Sequence, residues 1–376
     1  MFCRLSKLLF LFICLGFIFP AISLPETAPS IKIAAIFALS GKAAQSNKPA
    51  ILGTKLAIRE INQKGGLLGQ QLELLVLDNK SSPIGSHVAA ELAVRNGVTA
   101  IIGSVWSSHS LAIAKVAQKR NIPMISPIST TPSLTAVGDH IFRVCYDDNF
   151  QGEVIAEFAF QDLKARSALI FVDLASDFSL TLTDIFSRTF RNLGGQIVRE
   201  IEYKAGDTSY LPQVRQALTF DADIVFLSGH DESGIIASEL EQAGFRGIPV
   251  GSDSWDVDSF FLAGGNRIKK GYFINHWHPS EQEAPSRTFL EKYGDQGDIN
   301  AATALAYDAV HVLAAAIKAA KSTDDAAILN ALHNLQAFNG VTGEITFNSQ
   351  GNARKQACIM EIRNGVASYL KCHKAD

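Results

Sequence analysis

Residues 101–110 read IIGSVWSSHS: an apolar run ends at Gly103, passes Trp106 and runs into Ser107, Ser108 and Ser110. A strand that exits into a helix here places those hydroxyls beside first-turn backbone N–H groups that have no partner inside the helix. The helix dipole makes that end mildly positive, so an anion suits it. N-capping alone would account for one serine, and Trp106 could serve packing. The next apolar run leads into MISPISTTPSLT, residues 124–135, where Ser129, Thr130 and Thr131 stand between two prolines. Prolines hold the backbone extended and are expected to leave carbonyls free. Donors for a carboxylate and acceptors for an ammonium would then share one place. In VGSDSWD, residues 250–256, a third apolar run ends at Asp253, which either faces that ammonium or caps the helix that follows.

Other chemistries fit the chain less well. No G-x-S-x-G elbow surrounds the serines, and His109 beside Ser108 is not a pair, since adjacent helical side chains diverge. His276 and His278 in HWH lack the third and fourth ligands of a tetrahedral metal site and read as surface or hinge residues. GGLLG follows a helix rather than a strand, so it ends that helix instead of cradling a nucleotide phosphate. No cofactor is expected.

The elements that would position these residues alternate. IKIAAIFAL, LELLVLD, TAIIGS and IPMISPI read as strands with amphipathic helices between them, and after HIFRVCYDD the rhythm restarts with SALIFVD, QIVREIEY, ADIVFLSG and IPVGSD. Strands apolar on both faces belong in parallel sheets covered by helices on both sides. At 376 residues, two lobes are expected. The fold class is therefore α/β, with two doubly wound parallel-sheet lobes. The first is read as 31–145 plus 277–338 and the second as 146–276 plus 339–376, joined by a hinge of several crossings. The alanine-rich segment AATALAYDAVHVLAAAIKAA is long enough for central packing.

Composition narrows the class further. Apolar residues make up 47%, charged residues 19%, and the formal charge is −3 without any basic stripe, so nucleic acid is not an expected partner. Arg4 and Lys7 precede the apolar run Leu8–Phe19, which Pro20 breaks before Ala21 and Ser23. This is the anatomy of an export signal over 1–23, too short for a membrane span. Its removal leaves an exported chain without stable membrane insertion, with Cys145, Cys358 and Cys372 in an oxidising compartment. Cys358 and Cys372 flank a hairpin turning on Asn364 and Gly365, but a two-residue turn sets Cys358 opposite Lys371. A disulfide there requires a bulge or a slipped register. Cys145 reads as a small buried residue.

In their order along the chain, GTKLAIREINQKGGLLGQQLELLVLD, VTAIIGSVWSSHS, IPMISPISTTPSLT, IFRVCYDDNFQG, VGSDSWD and LAYDAVHVLAAAI resemble the periplasmic branched-chain amino-acid-binding proteins of bacterial ABC transporters. The resemblance spans essentially the whole mature chain and implies the type I periplasmic-binding fold. It implies that Ser107, with Ser108 as the alternative, and Thr130 hold a ligand's α-carboxylate and α-amine, that Ile128 and Ser129 add backbone groups, and that Asp253 neutralises the amine. Phe178 takes the place of an aromatic that closes over the ligand, and Trp106, next to Ser107 in the sequence, is counted among the candidate ligand-binding residues. His230 or Asp231 and Ser46 stand where aromatics are common, which implies a pocket more polar than one built for leucine. The function so implied is a non-enzymatic periplasmic receptor, expected as a monomer, that delivers an amino acid or similar zwitterion to an ABC permease. A sensory receptor for an amide or urea-like solute and an exported hydrolase are the alternatives.

Overall fold

The computed structural model describes residues 30–280, 283–297 and 299–373. The export signal expected over 1–23 lies outside the described residues. In β1 (Ser30–Phe37), Ile31, Ile33, Ala35 and Phe37 enter one core cluster, while Ala34 and Ile36 enter another on the opposite face. A strand buried on both faces needs covered neighbours on either side, and β1 has them. It pairs in parallel with β2 (Gln71–Asp78) and β3 (Ala100–Gly103), and β4 (Met124–Ser126) and β5 (Ile141–Arg143) continue the sheet in the order β2-β1-β3-β4-β5. Helix α1 (Ala44–Gln63) covers one face; α2 (Pro83–Arg95) and α3 (Ser107–Lys119) cover the other.

The second sheet repeats this plan. It contains β6 (Ser167–Asp173), β7 (Gln196–Tyr203), β8 (Ile224–Leu227), β9 (Ile248–Gly251) and β10 (Lys270–Asn275), all parallel. Helices α4 (Asp148–Glu157) and α5 (Asp177–Asn192) pack on one face; α6 (Leu211–Ala217), α7 (Glu232–Gln242) and α8 (Asp258–Ala263) flank the other. After α9 (Ala284–Tyr293), α10 (Ala301–Ala320) and α11 (Asp325–His333), the chain forms a small hairpin, β11 (Phe338–Gly340) with β12 (Gly343–Ile345). It ends by adding β13 (Ala357–Arg363) and β14 (Val366–His373) antiparallel to the edge beyond β10.

Although α10 is long and apolar enough to cross a membrane, 83% of that stretch is buried. Its Leu305, Val310, Leu313 and Ile317 join the first sheet's core beside Ile33 and Phe37, so the first lobe is completed only after the second has been threaded. The chain thus passes between lobes three times. Val144 and Cys145 lie in the first lobe's core and Tyr146 in the second's. Ile274 lies in the second core, whereas Trp277 packs with α9 and α10. The last passage differs from the boundary read at 339. Ile345, Phe347 and Ala353 still belong to the first core, and the second begins at Ala357. The reason is Asp308 on α10, whose carboxylate takes the N–H groups of Val341 and Thr342 at 2.8 and 2.9 Å and the Thr342 hydroxyl at 2.7 Å.

Cys358 and Cys372 form a disulfide. The hairpin turns on Asn364 and Gly365, both with positive φ, and pairs Met360 with Tyr369 but Ile359 with Lys371. Leu370 is the extra residue of a bulge, and that offset brings Cys358 opposite Cys372. Cys145 is free and buried, and burial raises its thiol above the usual range.

Candidate functional site

The exits of β3, β4, β8 and β9 face one another across the lobes, as expected for ligand sites in open parallel sheets. Between them lies a cavity that opens to solvent. From the first lobe, Ser46, Trp106, Ser107, Ile128 and Thr130 line it; from the second come Phe178, His230, Asp231 and Asp253. Ser107 and Asp253 therefore border the same space.

On the first lobe, α3 begins at Ser107, and its N-cap is Trp106, whose side chain caps nothing. The His109 and Ser110 N–H groups both donate to the Trp106 carbonyl at 3.0 Å, and with no capping side chain those of Ser107 and Ser108 are left for a guest. Ser107 is 4% exposed, and its Oγ accepts the Thr131 N–H at 3.4 Å, which leaves the hydroxyl proton to donate. Close backbone packing makes this exit possible: Gly103 has φ +142°, and a Cβ there would lie 2.2 Å from the Ile36 carbonyl oxygen. Ser110 and Ser129 have a different task. Ser110 Oγ accepts the Ser104 N–H at 2.8 Å and bonds to Ser129 Oγ, which also reaches the Val105 carbonyl at 2.8 Å. These hydroxyls tie the β3 and β4 exits together.

The loop between the two prolines departs from its expected role. Arg143, fully buried, donates to the carbonyls of Ser129 at 3.0 Å and Thr131 at 2.8 Å, and the Asp148 N–H donates to the Thr130 carbonyl at 2.9 Å. Three carbonyls expected to be free each accept a bond already, and the Ser129 N–H donates to Ser126 Oγ at 3.1 Å. Ser129 is not among the lining residues; neither is Ser108, which borders only an outer cavity with Lys42 and His109. Thr130 lines the cavity with its hydroxyl facing the Asp148 carboxyl. Burial pushes Asp148 up to about 8, opposed by that hydroxyl and reinforced by the charge of Asp253. At neutral pH Asp148 is therefore mostly protonated and adds little charge to the site.

On the second lobe, Asp253 is 8% exposed. Its backbone N–H donates to Gln151 Oε1 at 3.0 Å, Oδ2 lies 2.8 Å from His276 Nε2, and Oδ1 is buried without a hydrogen-bond partner. A buried carboxylate oxygen left open is costly unless a donor completes it. Asp253 does not cap the helix that follows, because α8 has Val257 at its N-cap and no side chain caps it.

Four rings form a file across the cleft: His109, Trp106, His230 and Phe178, with successive centroids 5.4, 4.6 and 5.3 Å apart. Trp106 from the first lobe and His230 from the second lie within 8° of parallel. Trp106, Phe178 and His230 border both the inner and the outer cavity, so the file separates them. Ser46 adds a short side chain whose hydroxyl turns back to the Ala43 carbonyl at 3.1 Å.

Gln151, Asp148 and His276 were not among the residues singled out for binding. His276 follows β10 at a strand exit, a position that marks it by the same rule as Asp253. HWH read as a motif hid that.

Two α/β lobes with a cleft between them, lined by both apolar and polar side chains, define a two-lobed solute-binding protein. Comparison with known proteins agrees. The family profile described as "Periplasmic binding protein" matches residues 30–366, and the chain belongs to that family. It is 27% identical over 328 residues, 86% of this chain and 88% of the relative, to Leu/Ile/Val-binding protein homolog 3 of Brucella melitensis. The leucine-binding protein LivK of Thermotoga maritima superposes with a TM-score of 0.87 at 32% identity, covering 92% of this chain and 99% of that one. The substrate-binding protein LivJ of Streptococcus pneumoniae, in complex with isoleucine, gives 0.85 at 29% identity, covering 91% and 99%. The protein is a solute-binding receptor of the kind that serves ABC importers, and it is a binding protein rather than an enzyme. Among the described residues, no group of three His, Cys, Asp or Glu side chains is placed to hold a metal ion.

Proposed function

We propose that the cleft binds an amino acid with a small or polar side chain, and that the protein acts in the periplasm, handing this ligand to an ABC permease. The observation that carries the reading is the pairing of opposite ends in one cavity. The open N-terminus of α3 with Ser107 lies on one lobe, and the open Oδ1 of Asp253 on the other. A carboxylate suits the first and an ammonium the second. Among the described residues no Lys or Arg lines the cavity, while Asp231, Asp253 and Asp256 do, so a ligand with a carboxylate alone would lack a counter-charge and one with an ammonium is favoured. A zwitterion makes both contacts only when the lobes are together, and that difference between open and closed states drives closure. The complex of the similar LivJ protein with isoleucine supports the ligand class. The Trp106–His230 stack narrows the side-chain end, which favours a ligand shorter than leucine.

The test is mass spectrometry of small molecules released when the purified protein is denatured, followed by calorimetry with the compound found. An amino acid or a close zwitterionic analogue is expected. A ligand lacking either the amine or the carboxylate would overturn the reading.

A further inference from the structure

His276 sits on one of the three passages between lobes, and each of the other two brings a residue near it. Tyr146, on the first, stacks on its ring at 3.8 Å; His276 itself sits on the second, between Ile274 of one core and Trp277 of the other; Lys355, on the third, faces it with a positive charge. The ring is 1% exposed. A carboxylate oxygen only accepts, so at 2.8 Å from Asp253 Oδ2 it is Nε2 that carries the proton. Nδ1 is buried without a hydrogen-bond partner. On the other side of Asp253, Gln151 of α4 accepts the backbone N–H, and its Nε2 donates to Asp148 Oδ1 at 3.0 Å, in the first turn of that helix, two residues after Tyr146. The acidic group of the cleft is thus mounted on the hinge.

We propose that His276 is a positioning residue for amine recognition: its Nε2–H occupies Asp253 Oδ2, keeps Oδ1 available to the cleft, and joins the ligand's ammonium to the crossing segments that must move on closure. The inference rests on the reading of Asp253 as the ammonium's partner. Neutral His276 donates one hydrogen bond and leaves the carboxylate's charge for the ligand. Protonated His276 forms an internal ion pair with Asp253 and competes with the ammonium. Burial disfavours that protonated form, Asp253 favours it and Lys355 opposes it, so the resting state is neutral and acid shifts it. The stacked Tyr146 stays un-ionised across this range, since burial raises its phenol. Asp148, joined through Gln151, is already mostly protonated below neutrality. Ligand affinity therefore falls as pH falls.

The experiment compares wild type, H276A, H276Q and D253N by calorimetry from about pH 7.5 to 5. Its probes are the tightest binder among the twenty standard L-amino acids in a thermal-shift screen and the acid that lacks its amine. For the amino acid, wild type is expected to weaken about tenfold across this range and H276Q less than about threefold. At the upper pH, H276A loses about tenfold, and H276Q, which restores a donor near Nε2, recovers most of that loss. The deaminated acid shows neither effect. A wild-type pH slope retained in H276Q, or H276A binding like wild type, overturns the proposal while D253N still weakens binding. If H276A fails to fold, the contrast between wild type and H276Q carries the test. Unchanged binding by D253N, or no amino acid bound at all, overturns the reading of the cleft and the proposal with it.

Discussion

Asp253→Asn replaces a charged carboxylate by a neutral amide of nearly the same shape. Asn keeps a carbonyl oxygen that can accept the His276 Nε2–H, and the backbone bond to Gln151 is untouched, so the fold should survive. What changes is the open position at Oδ1, which loses its charge and can instead present an amide N–H toward the ligand's ammonium. Removing one member of a buried, hydrogen-bonded charge pair costs about 2–5 kcal/mol. At about 1.4 kcal/mol per decade, the dissociation constant should rise roughly 30- to 4,000-fold. Calorimetry with the released ligand measures this, and a thermal melt within a few degrees of wild type shows that the fold is intact. The deaminated analogue supplies the control, because its affinity should not fall when Asp253 is neutralised. A change of less than about threefold for the amino acid, in a folded variant, would refute the assignment of Asp253.

Ser107→Ala removes one hydroxyl donor and should weaken binding about 5- to 30-fold, whereas Ser108→Ala, on the outer cavity, should leave it within about twofold; titration of both variants decides between the two serines. Replacing Cys358 and Cys372 by serine opens a covalent loop whose ends are 14 residues apart, and urea unfolding should show a loss of about 3 kcal/mol; a loss under about 1 kcal/mol would contradict a stabilising cross-link. Burial would raise the Glu60 carboxyl, but hydrogen bonds from Lys292, Lys64, Tyr293 and Tyr307 hold it far below the usual carboxylate range. A depressed carboxyl stabilises the fold above its unfolded value of 4.5 and loses that contribution as pH falls, so the stability gap between wild type and E60Q should shrink from about pH 7 to about pH 3 in thermal melts.

The strands were legible because burial on both faces leaves a plain mark: the apolar residues of IKIAAIF supply both cores flanking β1. The start of α2 was not. Its first turn carries Ile84, 80% exposed, so no apolar period announces it, and the signal was instead Ser82, whose hydroxyl accepts the Gly85 N–H ahead of Pro83. The bulge at Leu370 could not be read from the hairpin turn, yet the cysteines themselves demanded one. At the site, hydroxyl-rich strand exits were visible as such, but the sequence does not say which hydroxyls face inward. Ser110 and Ser129 look like ligand donors in one dimension and bind each other in three. The carbonyls of the proline-bounded loop were misread because Arg143, 12 to 14 residues downstream, returns to occupy two of them. His276 and Gln151 act through Asp253, and such partnerships depend on contacts 23 and 102 residues apart.

The most direct test of the binding account is a crystal structure of the protein with its released ligand. The account predicts an amino acid between the lobes, its carboxylate on the first turn of α3 and the Ser107 hydroxyl, and its ammonium on Asp253 Oδ1. A ligand lying in the reverse sense, or one that reaches Ser107 without touching Asp253, would contradict it.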